Sequence, residues 1–148
     1  MSLEDLTKTP FLSRSEEETG IFAKKLAETL KPNTVLLLRG EVGAGKTFFS
    51  SHIAKNFGAD ELTSSSFACV AAHAGRWNVI HCDFYRKRAT QSFFDTEIEP
   101  HLAPPWLLLI EWPERMAERE MIAGNEALDV HIQREGTGKR KITVARVN

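Results

Sequence analysis

The 148 residues carry a formal net charge of −1 and are 42% hydrophobic, which suits one domain with a buried core. That balance argues against the strongly basic surface of a nucleic-acid-binding protein. Cys69 and Cys82 show no CxxC or Cys/His spacing, so they read as reduced, buried, strand-borne thiols and not as a disulfide or zinc site.

At the start, MSLEDLTKTP is polar and unlike a signal peptide, and no apolar run is long enough to cross a bilayer. The expectation is a single cytoplasmic domain over residues 1–148. Ser15-Glu16-Glu17-Glu18 then predicts a helix start, with Ser15 as N-cap and Glu18 in the capping-box position. Ile21, Phe22, Leu26 and Leu30 share one face of that helix, and Lys31-Pro32-Asn33 stops it. Val35 to Leu38 is a wholly apolar run, the pattern of a central parallel strand covered on both faces. A glycine-rich loop follows, then a helix expected over Lys46 to Phe57 with Gly58 as its C-cap.

The hydroxyl run Thr63-Ser64-Ser65-Ser66 turns strand-like at Phe67, Gly75 marks a turn, and Trp77 to Cys82 predicts a strand ending at Asp83. Thr90 to Leu102 reads as an amphipathic helix closed by Pro104-Pro105; its Phe93, Phe94 and Ile98 are either core or a surface for partners. Trp106 to Ile110 is a third apolar strand, ending at Glu111, and Pro113 to Ile122 reads as helical. The tail alternates on both sides of Glu135-Gly136-Thr137-Gly138, which predicts a β-hairpin. Strands alternating with helical crossovers imply an α/β domain of three layers, P-loop NTPase-like, with a mostly parallel sheet and a C-terminal antiparallel hairpin.

Chemistry concentrates in three places. Gly40-Glu41-Val42-Gly43-Ala44-Gly45-Lys46-Thr47 fits G-x-x-x-x-G-K-[ST] between a strand and a helix. Glycines there let successive N–H groups face phosphates, Lys46 suits the β- and γ-phosphates, and the Thr47 hydroxyl suits Mg²⁺. Such a site also needs an acid at a neighbouring strand end. Asp83 and Glu111 both qualify: Asp83 as a carboxylate on the Mg²⁺ side, Glu111 as a metal contact or as the group that orients an attacking water. Trp112 is a core aromatic or a wall of the nucleotide pocket. His81 reads as a packed strand residue, Arg88 as surface, and Arg86 as surface or as a charge stabiliser. The Thr63–Ser66 run is a nucleotide-responsive loop or an ordinary polar turn.

Taken in order, GEVGAGKT, LTSSSF, HCDFYR and IEWPER resemble the TsaE (YjeE) family of small bacterial P-loop ATPases. Lys46 and Thr47 match its phosphate lysine and magnesium threonine, Asp83 the aspartate of H-x-D-x-Y-R, and Glu111 with Trp112 the active-site E-W pair. Ser65 and Ser66 stand where the family pattern has proline and threonine. The resemblance implies a subunit that binds ATP and Mg²⁺ and hydrolyses ATP slowly on its own. It implies service to N6-threonylcarbamoyladenosine formation at position 37 of tRNA, alongside TsaD and TsaB, with tRNA met only indirectly. Two other readings of the loop are a small-molecule kinase and a nucleotide-dependent regulator without turnover. The absence of an arginine-rich lid weighs against the first, and Glu111 against the second.

Overall fold

The computed structural model describes residues 2–59, 69–86, 88–116, 122 and 124–147. In chain order the strands are β1 (Phe11–Ser13), β2 (Thr34–Arg39), β3 (Val70–Ala74), β4 (Asn78–Asp83), β5 (Trp106–Glu111), β6 (Glu126–Arg134) and β7 (Arg140–Arg146). The main helices are α1 (Leu3–Lys8), α2 (Glu16–Thr29) and α3 (Lys46–Lys55). One sheet holds all seven strands in the order β1-β7-β6-β2-β5-β4-β3. Its central four, β6, β2, β5 and β4, are parallel, while β7, β1 and β3 add antiparallel edges. This is the expected fold class.

β2 sits mid-sheet because its side chains demand cover on both faces. Leu36 pairs with Leu109 of β5 and Leu128 of β6. Leu36 and Leu38 point into one buried cluster with Phe22, Leu26, Phe49 and Ile53 of α2 and α3. Val35 and Leu37 point the other way, to Ile80, Leu108, Phe94 and Ile98. Each fully buried leucine of this kind stabilises the fold by roughly 1.5–3 kcal/mol. The alternation produces three layers: α2 and α3, the sheet, and the segment around residues 91–101.

Helix ends follow local chemistry, with one departure at α2. The Ser15 hydroxyl accepts the Glu18 N–H at 3.1 Å, as an N-cap does. The Glu18 carboxylate, however, accepts from Arg14 N–H at 3.4 Å, so the reciprocal half of the box is displaced by one residue. α3 stops at Lys55, two residues short of Phe57, and Gly58 in the left-handed region closes the turn by donating to Lys55 O.

Several expectations change. The tail hairpin is present, but β6 extends the parallel core beside β2, and only its second strand is antiparallel. Thr90 to Leu102 is not one α-helix: a single α-turn at Gln91–Phe93 widens to a π-turn at Phe94–Ile98 and tightens to a 3₁₀ turn at Glu99–His101. Pro100 has no N–H to donate to Thr96, so an α-helical ladder cannot run through it. Phe94 and Ile98 are buried in the core, which removes them as a surface for partners. Pro113–Arg115 is one 3₁₀ turn, and most of the helix expected to follow lies outside the described residues. So does the Thr63–Ser66 run with Phe67. Both cysteines are free, but only Cys82 is a buried strand thiol, its pKa pushed up by burial. Cys69 is partly exposed and precedes β3. α1 and β1 had no sequence signal strong enough to predict. Among the described residues no helix is long and apolar enough to cross a membrane.

Candidate nucleotide site

The loop leaves β2 at the carboxyl end of the parallel strands and runs beside β6. Gly40 has φ +153°, and a Cβ there would stand 2.6 Å from the Ile132 carbonyl oxygen. Only glycine allows that approach. At Gly45, φ is +106°, and α3 begins directly after it without a side-chain cap. Its first backbone N–H groups are therefore left for a ligand, and the helix dipole places partial positive charge with them. Arg140 on β7 braces the loop from outside, its Nε donating to Ala44 O at 2.8 Å. Sequence reasoning missed this residue, which lies 96 positions beyond its partner.

Lys46 is almost fully buried. Its ammonium donates to Gly40 O and, at 3.0 Å, to Glu41 O, and lies 4.3 Å from the centre of the Trp112 ring. Burial lowers its pKa below the ordinary lysine value, while the carboxylates of Glu111, Glu114 and Asp83 oppose that shift. The lysine is thus a desolvated cation held by carbonyls and a ring face, ready to exchange those weak partners for an anion.

Asp83 and Glu111 are paired neighbours at the ends of β4 and β5. Their distinct surroundings separate them. Glu111 is 2% exposed; its carboxylate accepts from Thr47 Oγ1 at 3.0 and 3.2 Å and contacts His81 Nε2 at 2.5 Å. Asp83 is half-buried and accepts from the Tyr85 N–H at 3.0 Å, an Asx turn that leads the chain off β4. His81 therefore reaches beyond the packed strand residue expected of it. Its ring runs diagonally along the sheet face to the acid on the next strand.

Trp112 follows Glu111 in the left-handed region, with φ +59°. A bulky residue there costs on the order of 1–3 kcal/mol. The turn brings its indole back over Lys46 and to 4.9 Å from the Tyr85 ring. A cleft of about 330 Å³ is bounded by Gly43, Lys46, Thr47, Asp83, Glu111 and Trp112, and also by Val42 and Tyr85. Of the residues singled out from sequence, Val42, Gly43, Gly45, Lys46, Thr47, Asp83, Glu111 and Trp112 line this cleft, while Gly40, Glu41 and Ala44 of the loop do not. Arg86 and Arg88 are exposed and do not line it.

The Thr47 hydroxyl and the two carboxylates are hard oxygen donors. They suit Mg²⁺, which binds through one or two carboxylates together with water and phosphate oxygens. Among the described residues no group of three or more His, Cys, Asp or Glu side chains is arranged to hold an ion. The donor set suits an ion that also takes phosphate and water oxygens.

Known proteins place the chain further. The family model described as "Threonylcarbamoyl adenosine biosynthesis protein TsaE" matches residues 13–142. The tRNA threonylcarbamoyladenosine biosynthesis protein TsaE of Rickettsia bellii is 40% identical over 103 residues, covering 68% of this chain and 71% of that protein. Its namesake from Treponema pallidum is 30% identical over 135 residues, covering 90% of this chain and 98% of that protein. Among solved structures, Bacillus subtilis YdiB superposes with a TM-score of 0.68 at 28% identity, over 94% of this chain and 85% of that one. With the family pattern running through nearly the whole length, the chain belongs to the TsaE family, which serves threonylcarbamoyladenosine biosynthesis on tRNA.

Proposed function

We propose that this chain is the Mg²⁺-dependent, ATP-hydrolysing subunit of a tRNA-modifying assembly, acting with TsaD and TsaB in N6-threonylcarbamoyladenosine synthesis. The observation that carries the reading is the convergence of Lys46 and Thr47 with Asp83 and Glu111 on one cleft at the strand ends. In this reading the triphosphate lies along Gly40–Thr47, its charge met by the first N–H groups of α3 and by Lys46. Thr47, with Asp83, would hold Mg²⁺, which when bound neutralises charge on the phosphate oxygens. Glu111, buried and bonded on both sides, is the group available to orient a water for in-line attack and to accept its proton. Trp112 walls the site and shields Lys46 from solvent.

The supporting experiment measures phosphate release from ATP with and without Mg²⁺, for the chain alone and with TsaD and TsaB added. Turnover that needs Mg²⁺ and rises with the partners is expected, together with ATP-dependent co-purification of the three proteins. Lys46→Ala is expected to lower turnover by roughly 10²–10³-fold, the scale of losing one preorganised charge at a developing anion. Wild-type turnover in that variant would remove the loop from the reaction. Transfer of the γ-phosphate to an acceptor other than water would replace hydrolysis with kinase chemistry.

A further inference from the structure

His81 is a buried polar side chain in contact with Glu111 to which the reaction above gives no task. It is 2% exposed, on β4, two residues before Asp83. Its register partner on β5 is Leu109, while Asp83 is paired with Glu111. The side chains at 81, 83, 109 and 111 therefore share a face of the sheet, the one covered by α2 and α3. From there the imidazole reaches diagonally to Glu111, and Nε2 lies 2.5 Å from Oε2.

A carboxylate offers only lone pairs, so His81 is the donor in this bond and Nε2 carries its hydrogen. On the other side of Glu111, the Thr47 hydroxyl sits 3.0 Å from Oε1 and 3.2 Å from Oε2. The two partners differ in their surroundings. Thr47 stands on the first turn of α3, is exposed, and is the hydroxyl assigned to the metal. His81 is embedded in the sheet and has no competing ligand in the cleft. Once Thr47 turns to another partner, His81 alone keeps the carboxylate plane from rotating and leaves Oε1 facing the cleft.

We propose that His81 is the positioning residue of the hydrolytic site, holding Glu111 by one oxygen so that the other is aimed at the reacting water. The inference rests on the hydrolytic reading above. His81 touches neither nucleotide nor water in this assignment; it acts through Glu111. Groups that orient a reacting or ligating side chain in this way are worth about 10–100-fold when removed.

The test compares His81→Phe, which keeps a ring but loses the donor, with His81→Gln, whose amide Nε2–H can reach the same oxygen. For the wild type and each variant, maximal turnover and ATP affinity are measured separately. His81→Phe is expected to lower kcat by about 10–100-fold while the ATP Kd changes by less than about 3-fold, a difference of roughly 0.65 kcal/mol. His81→Gln recovers most of the loss. In a Glu111→Ala background, His81→Phe has no further effect, because the residue it acts through is gone. Three results would overturn the inference: unchanged kcat in His81→Phe, equal losses in the Phe and Gln variants, or affinity lost in step with turnover. Failure of the hydrolytic reading looks different, since the wild type itself then lacks turnover. The bond is then read directly by nitrogen-edited NMR of the nucleotide-free chain. An imidazole Nε2–H resonance that vanishes in Glu111→Ala supports the contact, and one indifferent to that substitution overturns it.

Discussion

Glu111 takes its side-chain partners from two other elements, Thr47 from α3 and His81 from β4. Such an acid is held by what surrounds it, and its removal has two separable effects. Glu111→Ala leaves the buried His81 ring without an acceptor, which costs about 1–3 kcal/mol of stability. That loss is read as a shift of the urea midpoint at constant m. Hydrolysis is expected to fall by about 10²-fold, within the range of a lost general base, with ATP affinity much less affected. Equal losses of turnover and affinity would mark Glu111 as a metal holder only. Lys46 shows the complementary situation: a buried cation satisfied by two carbonyls of its own loop and by the Trp112 face, none of which neutralises it.

Among the elements, the phosphate loop depends on β6 as closely as on β2. Gly40 passes so near the Ile132 carbonyl that Gly40→Ala must push the loop off the strand. The expected cost is about 1–3 kcal/mol with loss of ATP binding, measured by denaturant unfolding and nucleotide titration. α2 and α3 meet where the His52 ring lies 4.4 Å from Phe48 and against Gly20. Burial first, and then Lys55, lowers the His52 pKa below its usual 6.5. The unfolded chain therefore binds a proton at this site at a higher pH than the native chain does. Stability from the neutral ring is present above pH 6.5 and declines as pH falls below it, until the ring is also protonated in the native state. Thermal midpoints of wild type and His52→Gln should run parallel above pH 7 and converge or cross towards pH 5. Curves that stay parallel throughout would remove His52 from the acid side of the stability profile.

For the whole molecule, β2 joins both halves of the core, with Leu36 and Leu38 in one cluster and Val35 and Leu37 in the other. Leu37→Ala opens a cavity between the sheet and the Phe94–Ile98 turn, and the expected loss is about 2–5 kcal/mol. Because one sheet serves both clusters, fluorescence and circular dichroism should report a single shared transition. Separated transitions would show that the two layers unfold independently.

At this scale the division between sequence and structure has a physical basis. Spacing alone identified the loop Gly40–Thr47, the buried strands around Val35–Leu38 and Trp106–Ile110, and the acids that end β4 and β5. Loop chemistry and strand burial are local or periodic properties of the chain. The α1 and β1 segments were illegible because six- and three-residue elements carry too little periodicity, and β1 exists by pairing with β7. Pro100 was readable, yet how the backbone around it would widen and tighten depended on packing Phe94 and Ile98 into the core. The Glu111 contacts with Thr47 and His81 bridge 64 and 30 positions, and Arg140 reaches Ala44 across 96. No sequence period spans such separations. By itself the sequence determined which chemistry the strand ends carry; only the parallel register of β2, β5 and β4 decided which groups touch, because it sets the heights at which those strands stop.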